Sequence, residues 1–280
     1  MKQPYRFGLL GQNISYSLSP EVFNYLFVLS GQAGRFEVID CAPDELDAQL
    51  KLVREWDGFS VTVPYKKILL SRMDQISEDA KAIGAVNSVR VKDGGFYGFN
   101  TDAEGFWGPI EKISFKADLI LILGNGGAAA AVVWVLAQKF PKADMDICGR
   151  HERKVNDFVD QLGPSLSKGR SIRGLTFDVL SADAEYDLIV NCTPVGGPSH
   201  PDASPLPDNF EFQRCRLCYD LNYRPVETVL MKQAKGNGCS IIGGYPMLVR
   251  QAVASYVIWT GCELDMEAVS DEIIRLTGGK

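Results

Sequence analysis

The chain has 280 residues, 46% apolar and 23% charged, an ordinary globular composition for about two domains. Acids outnumber bases 35 to 29, giving a net charge of −6 that argues against a nucleic-acid partner. The longest apolar run, Ala128–Ala137, falls well short of the roughly 20 residues a membrane helix needs.

Arg6–Leu10 reads as a strand, and Ser19-Pro20-Glu21 as a helix start with Ser19 as N-cap, a first-turn proline and an acid. Val22, Phe23, Leu26, Phe27 and Leu29 supply the apolar side of that helix. Phe36–Ile39 is a second strand, Pro43–Glu55 a helix, and Gly58–Val63 a third strand stopped by Pro64. Such alternation implies a mostly parallel sheet with helices on its faces. The pattern restarts at Asp118–Leu123, a continuous apolar run expected of a strand buried on both faces, followed by glycines and a helix over 128–139. Further strands read at Met145–Cys148, Leu188–Asn191 and Leu217–Leu221, with a Pro/Ser-rich loop at 198–207. The closing helices are 247–259 and 266–276. The expectation is an α/β fold of two α/β domains.

Histidine is scarce. Only His151 and His200 occur, without metal-spaced partners, so a His-rich zinc site is excluded and proton chemistry falls to Lys, Asp or Tyr. The seven cysteines follow no framework spacing, and the first residues, Met1–Arg6, carry no apolar secretory stretch. Reduced thiols and a cytoplasmic location are the expectation. Cys215-Arg216-Leu217-Cys218 opens an apolar strand rather than a helix, so it reads as two packed thiols and not as a redox or metal motif.

Gly124-Asn125-Gly126-Gly127-Ala128-Ala129 fits G-x-G-x-x-A between a strand and a helix. Glycines there let the backbone approach a pyrophosphate, and the helix N-terminus turns free N–H groups and a positive dipole toward it. The residue that reads the adenosine ribose is expected about 20 positions on. An acid at that strand's tip would indicate NAD. The tip instead offers Gly149 and Arg150, with Arg153 close by, and both arginines suit a 2′-phosphate. NADP is therefore expected, with NAD as the alternative; Asp146 lies at about the right count but in mid-strand.

Short polar clusters follow the strands of the first hundred residues: Ser17-Leu18-Ser19, Thr62-Val63-Pro64-Tyr65-Lys66-Lys67, Asn87, and Asn100-Thr101-Asp102. Singly, each has a bland reading as a helix cap, surface lysines or a turn asparagine. Together they offer a cation, an amide and a carboxylate beside a cofactor domain. A Lys–Asp pair can supply a proton to a ketone without histidine.

With these motifs the chain resembles the shikimate dehydrogenase family along nearly its whole length. Ser17 and Ser19 resemble the serine pair that holds the substrate carboxylate, and Thr62 through Lys66 the catalytic turn. Asn87 resembles the hydroxyl-binding asparagine, and Asp102 the acid partnered with the lysine. Asn191-Cys192-Thr193-Pro194 is similar to the segment beside the nicotinamide, Tyr223 to a substrate-side tyrosine, and Gly243–Gln251 to the returning helix. Four positions depart from the family pattern: Ser60 replaces an Asn, Gly149 and His151 change Asn-Arg-Thr to Gly-Arg-His, and Pro246 replaces a glycine, stiffening the loop before the last long helix.

The resemblance implies a discontinuous N-terminal substrate-binding domain, residues 1–103 completed by the C-terminal helices of 244–280, and a Rossmann-type dinucleotide-binding domain over 104–243. It implies catalysis by Lys66 and Asp102, and substrate binding by Ser17, Ser19, Thr62, Asn87, Tyr223 and Gln251. It places NADP on Gly124, Asn125, Gly126, Gly127, Ala128, Arg150, Arg153, Thr193, Gly244 and Met247, with no metal. The implied activity is reversible, NADP-dependent interconversion of 3-dehydroshikimate and shikimate on the route to chorismate and the aromatic amino acids. The partner is then a small molecule, with no nucleic acid or membrane, and the chain a monomer or homodimer. Alternatives are a quinate/shikimate or aminoshikimate dehydrogenase using NAD or NADP, and a non-catalytic NADP-binding regulatory module.

Overall fold

The computed structural model describes residues 3–163, 166, 169–181 and 184–278. Two compact units divide the chain: residues up to Gly108 together with those from Leu248 onward, and Pro109–Met247. No helix among the described residues is long and apolar enough to cross a membrane.

The first unit contains β1 (Tyr5–Gly11), α1 (Ser19–Ser30), β2 (Gly34–Asp40), α2 (Leu46–Leu52), β3 (Gly58–Val61), β4 (Gln75–Ile76), α3 (Glu78–Ile83), β5 (Ser88–Lys92), β6 (Gly95–Phe99) and α4 (Asp102–Glu111). Its sheet runs β2-β1-β3-β5-β6-β4. The pairings β1–β2, β1–β3 and β4–β6 are parallel, whereas β3–β5 and β5–β6 are antiparallel. Asp93 and Gly94 join β5 to β6 with φ of 53° and 72°, the left-handed pair a two-residue hairpin turn requires. That hairpin lies outside the strand–helix alternation read from the sequence, although Asp-Gly between two half-apolar runs signals it. The helix expected over 43–55 is broken into α2 and a short 3-10 turn, Val53–Glu55. Ser19 is the first residue of α1 rather than its cap: Leu18 holds the cap position and no side chain caps the helix.

The second unit contains β7 (Leu119–Leu123), α5 (Gly127–Lys139), β8 (Asp144–Gly149), α6 (Glu152–Gln161), β9 (Ile172–Thr176), β10 (Leu188–Asn191), β11 (Leu217–Asp220), α7 (Val229–Gly236) and β12 (Ser240–Ile242). All its pairings are parallel, in the order β12-β11-β10-β7-β8-β9. This is the doubly wound order of dinucleotide-binding sheets, whose ligand crevice opens at the carboxyl ends where the winding reverses, here between β7 and β10. Cys215 and Cys218 are buried free thiols in the apolar core of this unit.

The chain closes with α8 (Tyr245–Thr260) and α9 (Met266–Leu276). Pro246 stands in the first turn of α8 rather than in the preceding loop, where proline removes no helical hydrogen bond. Aromatic packing seats the C-terminal part of α8 on the first sheet. Trp259 lies 4.8 Å from Phe7 and 5.4 Å from Phe23, centroid to centroid, and its indole N–H donates to Ser88 Oγ at 3.0 Å. Gly58 makes room for the indole, since a Cβ there would lie 2.5 Å from the ring.

Candidate active site

In the first unit the sheet and two helices bring several polar groups together. β3 ends at Val61, and the following turn carries Thr62 and Lys66. Val86 N–H donates to Lys66 O at 2.8 Å, tying that turn to the segment entering β5, which bears Asn87. Asp102 opens α4, and its N–H donates to Asn100 Oδ1 at 3.1 Å. Lys66 Nζ then lies 2.6 Å from Asp102 Oδ2, and Asn87 Nδ2 donates to Asp102 Oδ1 at 2.8 Å.

Around this core the network continues into the interior. Asn87 Nδ2 also donates to Thr101 Oγ1 at 3.0 Å, while Thr101 N–H donates to Asn87 Oδ1 at 2.7 Å. Thr101 Oγ1 is 3.1 Å from Ser255 Oγ on α8. Asn87, Thr101, Asp102 and Ser255 are all buried, whereas the Lys66 side chain keeps 15% of its surface exposed. Both Asp102 oxygens are therefore engaged, and Lys66 has ammonium N–H bonds with no acceptor among the described residues. Such a group can present a proton at the surface of a polar floor while the carboxylate behind it holds the cation in place.

The other first-unit positions are placed by their elements. Ser17 Oγ accepts from Ser19 N–H at 3.2 Å and donates to Ser19 Oγ at 3.1 Å, a hydroxyl pair at the start of α1. Thr62 N–H pairs with Leu10 O at 2.9 Å, at the carboxyl end of β3. Gln251 lies on α8, its Nε2 donating to Leu248 O at 2.8 Å, and is 9% exposed. Ser60 is buried on β3 with an Oγ that has no hydrogen-bond partner among the described residues.

In the second unit Gly124 ends the strand at φ 109°, a conformation open to glycine. A Cβ there would come within 3.2 Å of the Cys192 carbonyl carbon, so the turn after β7 runs against the chain leaving β10. Gly126 caps α5 without any side-chain hydrogen bond, which leaves the first helical N–H groups for an anion. Asn125 Nδ2 donates to Lys154 O at 3.0 Å, Gly127 and Ala128 begin the helix, and Ala129 is buried beneath it.

Arg150 and Arg153 are exposed beyond the tip of β8, and Arg153 makes only a loose 4.0 Å pair with Asp157. Asp146, the acid at the sequence distance of a ribose reader, is taken by other work. It forms two 2.8 Å bonds with Arg173 and accepts from Tyr186 Oη at 2.9 Å, buried inside the unit. Thr193 follows β10, and Tyr223 follows β11. Gly244 precedes α8, where its N–H donates to Asn222 O at 3.0 Å, and Met247 is buried in the first turn.

Known proteins resemble this chain over nearly its whole length. Residues 9–89 match the family model described as the shikimate dehydrogenase substrate binding domain. The shikimate dehydrogenase (NADP(+)) of an Exiguobacterium species is 35% identical over 270 residues, covering 96% of this chain and 97% of that protein. This chain belongs to the shikimate dehydrogenase family. Two solved members share the fold. The chorismate mutase/shikimate 5-dehydrogenase fusion protein of Clostridium acetobutylicum superposes with a TM-score of 0.88 at 30% identity, covering 99% of this chain and 98% of that one. The Thermus thermophilus shikimate 5-dehydrogenase in complex with NADP(H) and shikimate gives 0.81 at 32%, covering 96% and 99%.

Beyond the motif residues of the family, the fold recruits groups that sequence reasoning missed. Ser255 stands four residues after Gln251 and so on the same face of α8, the one signal that pointed to it. Asp220 and Thr228 were also missed: Asp220 accepts from Asn191, Asn222 and Thr228 behind the loops of the second unit.

Proposed function

We propose that the protein catalyses reversible, NADP-dependent hydride transfer between shikimate and 3-dehydroshikimate. The observation that carries the proposal is the buried constellation in which Lys66 donates to Asp102 and Asn87 holds the other carboxylate oxygen. It is the arrangement expected of a histidine-free proton donor, in a chain that also bears a dinucleotide turn. The relative from Thermus thermophilus, which binds NADP(H) and shikimate, supports the same assignment.

The residues at the second unit's turn fit the cofactor. Gly124 lets backbone approach backbone, and the uncapped start of α5 offers N–H groups to a pyrophosphate. No acid is available at the tip of β8, because Asp146 is buried against Arg173, whereas Arg150 is exposed there to meet a 2′-phosphate. When bound, the nicotinamide accepts or supplies the hydride.

The chain's own residues do the rest. Ser17, Ser19 and Tyr223 anchor the substrate carboxylate, and Thr62, Asn87 and Gln251 bind the ring hydroxyls. In the reducing direction Lys66 gives its proton to the oxygen on which negative charge develops; in the oxidising direction it takes the hydroxyl proton as the ketone forms. Asp102 and Asn87 keep the ammonium aimed throughout, so the bond strengthens as charge builds.

A second reading, quinate or an aminated shikimate as preferred substrate, draws on the buried hydroxyl of Ser60. Steady-state kinetics with shikimate and quinate, each with NADP and NAD, separate the readings. Shikimate with NADP is expected to give the highest kcat/KM. Binding of NADP with no turnover of any related cyclic acid would replace the enzyme by a regulatory module.

A further inference from the structure

Behind the loops at the carboxyl ends of β10 and β11 lies a carboxylate with no task in the chemistry above. Asp220 ends β11 with none of its surface exposed, and no cation pairs with it among the described residues. A buried ion without a counter-charge is costly, so its charge must be met by aligned donors. Four converge on it. Asn191 Nδ2 at 3.0 Å, Asn222 N–H at 3.0 Å and Asn222 Nδ2 at 2.9 Å donate to Oδ1, and Thr228 Oγ1 donates to Oδ2 at 2.7 Å.

Each donor carries the restraint outward. Because Asp220 accepts and cannot donate, it forces both asparagine amides to turn their NH2 groups inward. Asn191 Oδ1 is thereby aimed at Thr193, whose N–H and Oγ1 donate to it at 3.0 and 2.7 Å. Asn222 Nδ2 spans at the same time to Thr193 O and Val195 O, each at 3.1 Å. The chain from Cys192 to Val195, which Gly124 packs against, and the chain entering Tyr223 are thus tied through one carboxylate.

We propose that Asp220 is a positioning residue for hydride transfer: its carboxylate fixes the Asn191 and Asn222 amides and so holds Thr193 and the Tyr223 segment in register with the glycine turn. The proposal rests on the reading that Thr193 and Tyr223 face cofactor and substrate. Misplacing reacting groups by about 1 Å costs on the order of 10²-fold in rate.

The test uses Asp220→Leu, Asn222→Ala and the double variant, with kcat, the affinity for NADP by quenching of protein fluorescence, and Tm measured for each. Asp220→Leu keeps a branched side chain but offers no acceptor, so the Asn191 and Asn222 amides lose the group that orients them and are free to flip. The expected result is a kcat lowered about 10²-fold with NADP affinity changed far less, since the turn at Gly124–Gly127 remains. Asn222→Ala cuts the same link from its half-buried side, so the double variant should lose no more than the worse single variant.

A fall in Tm with kcat per folded molecule unchanged would reduce Asp220 to a structural role and overturn the proposal, as would additive losses in the double variant. If Asp220→Leu does not fold, Asn222→Ala decides alone, and a wild-type kcat there overturns it. Failure of the wild-type protein to oxidise shikimate would sink the functional reading itself, and that is seen before any variant is made.

Discussion

Replacing Lys66 by Met separates what the lysine does for the fold from what it does for the reaction. Lys66 Nζ lies 2.6 Å from Asp102 Oδ2, with side chains 15% and 5% exposed. The substitution keeps the stem but strands Asp102 with one oxygen still bound by Asn87 and the other without a donor. Removing one partner of a fully buried pair costs about 3–5 kcal/mol. Lys66 keeps some contact with water, so a loss of about 1–3 kcal/mol is expected in denaturant unfolding. For the chemistry, a general acid contributes about 10²–10⁴-fold and a donor to a developing oxyanion about 10²–10³-fold. One ammonium supplies both effects, so they are not multiplied, and kcat should fall about 10³-fold, or about 4 kcal/mol of barrier.

The assay is shikimate-dependent formation of reduced nicotinamide, followed by absorbance at saturating cofactor. KM for shikimate should move much less than kcat, because the bond strengthens in the transition state. The double variant Lys66→Met/Asp102→Asn should regain part of the stability, since no buried carboxylate is left unpaired, and none of the activity. A Lys66→Met enzyme that keeps kcat within about 10-fold of wild type would refute the reasoning. So would a double variant less stable than the single one.

Three further outcomes follow from the packing. Trp259→Ala should cost about 3–5 kcal/mol in urea unfolding, because the indole joins Phe7, Phe23 and Ser88 at the seat of α8; a loss under about 1 kcal/mol would contradict that role. Gly124→Ala should weaken NADP binding by about 10-fold or more, about 1.4 kcal/mol, while leaving shikimate binding intact, as φ 109° and the nearby Cys192 carbonyl both resist a Cβ. Calorimetry with each ligand alone checks this, and equal losses for both ligands would be inconsistent with a local effect. Burial first, and then Asp146, push the Cys148 thiol up to about 12, so at pH 8 iodoacetamide should leave it unlabelled in the folded protein and label it after denaturation. Peptide mass mapping reads the result, and rapid labelling of the folded chain would refute it.

The positions that could be read from the chain share one property: local sequence decides their surroundings. Gly124 through Ala129 is a strand–turn–helix unit, and its glycines are needed by the turn itself. Lys66, Asn87 and Asp102 each stand within a few residues of the end or start of an element, where polar side chains are expected at a site. The hairpin of β5 and β6 was equally local, marked by Asp93-Gly94, yet alternation with helices obscured it. Ser255 is a different case. A hydroxyl inside a long apolar helix carries little local signal beyond its spacing from Gln251, and it meets Thr101 only because Trp259 seats α8 on a sheet built from the start of the chain.

Asp146 marks the limit from the other side. Counting from the glycine turn put it near the ribose, but pairing with Arg173 on β9 and with Tyr186 ahead of β10 spent its charge inside the unit. Asp220 drew no notice in the sequence because its partners Asn191, Asn222 and Thr228 converge only when β10 and β11 lie side by side.

The sequence by itself determined the α/β class, the glycine turn, the scarcity of histidine and which lysines and carboxylates are candidates for proton chemistry. These follow from hydrophobic periodicity, from turn stereochemistry and from which side chains exist at all. Tertiary structure decided which polar groups are partners, which acid is consumed in a structural ion pair and which carboxylate holds two loops together. Hydrogen bonds and ion pairs act over about 3 Å, so they are settled only when sheet order and helix seating bring distant segments to that range.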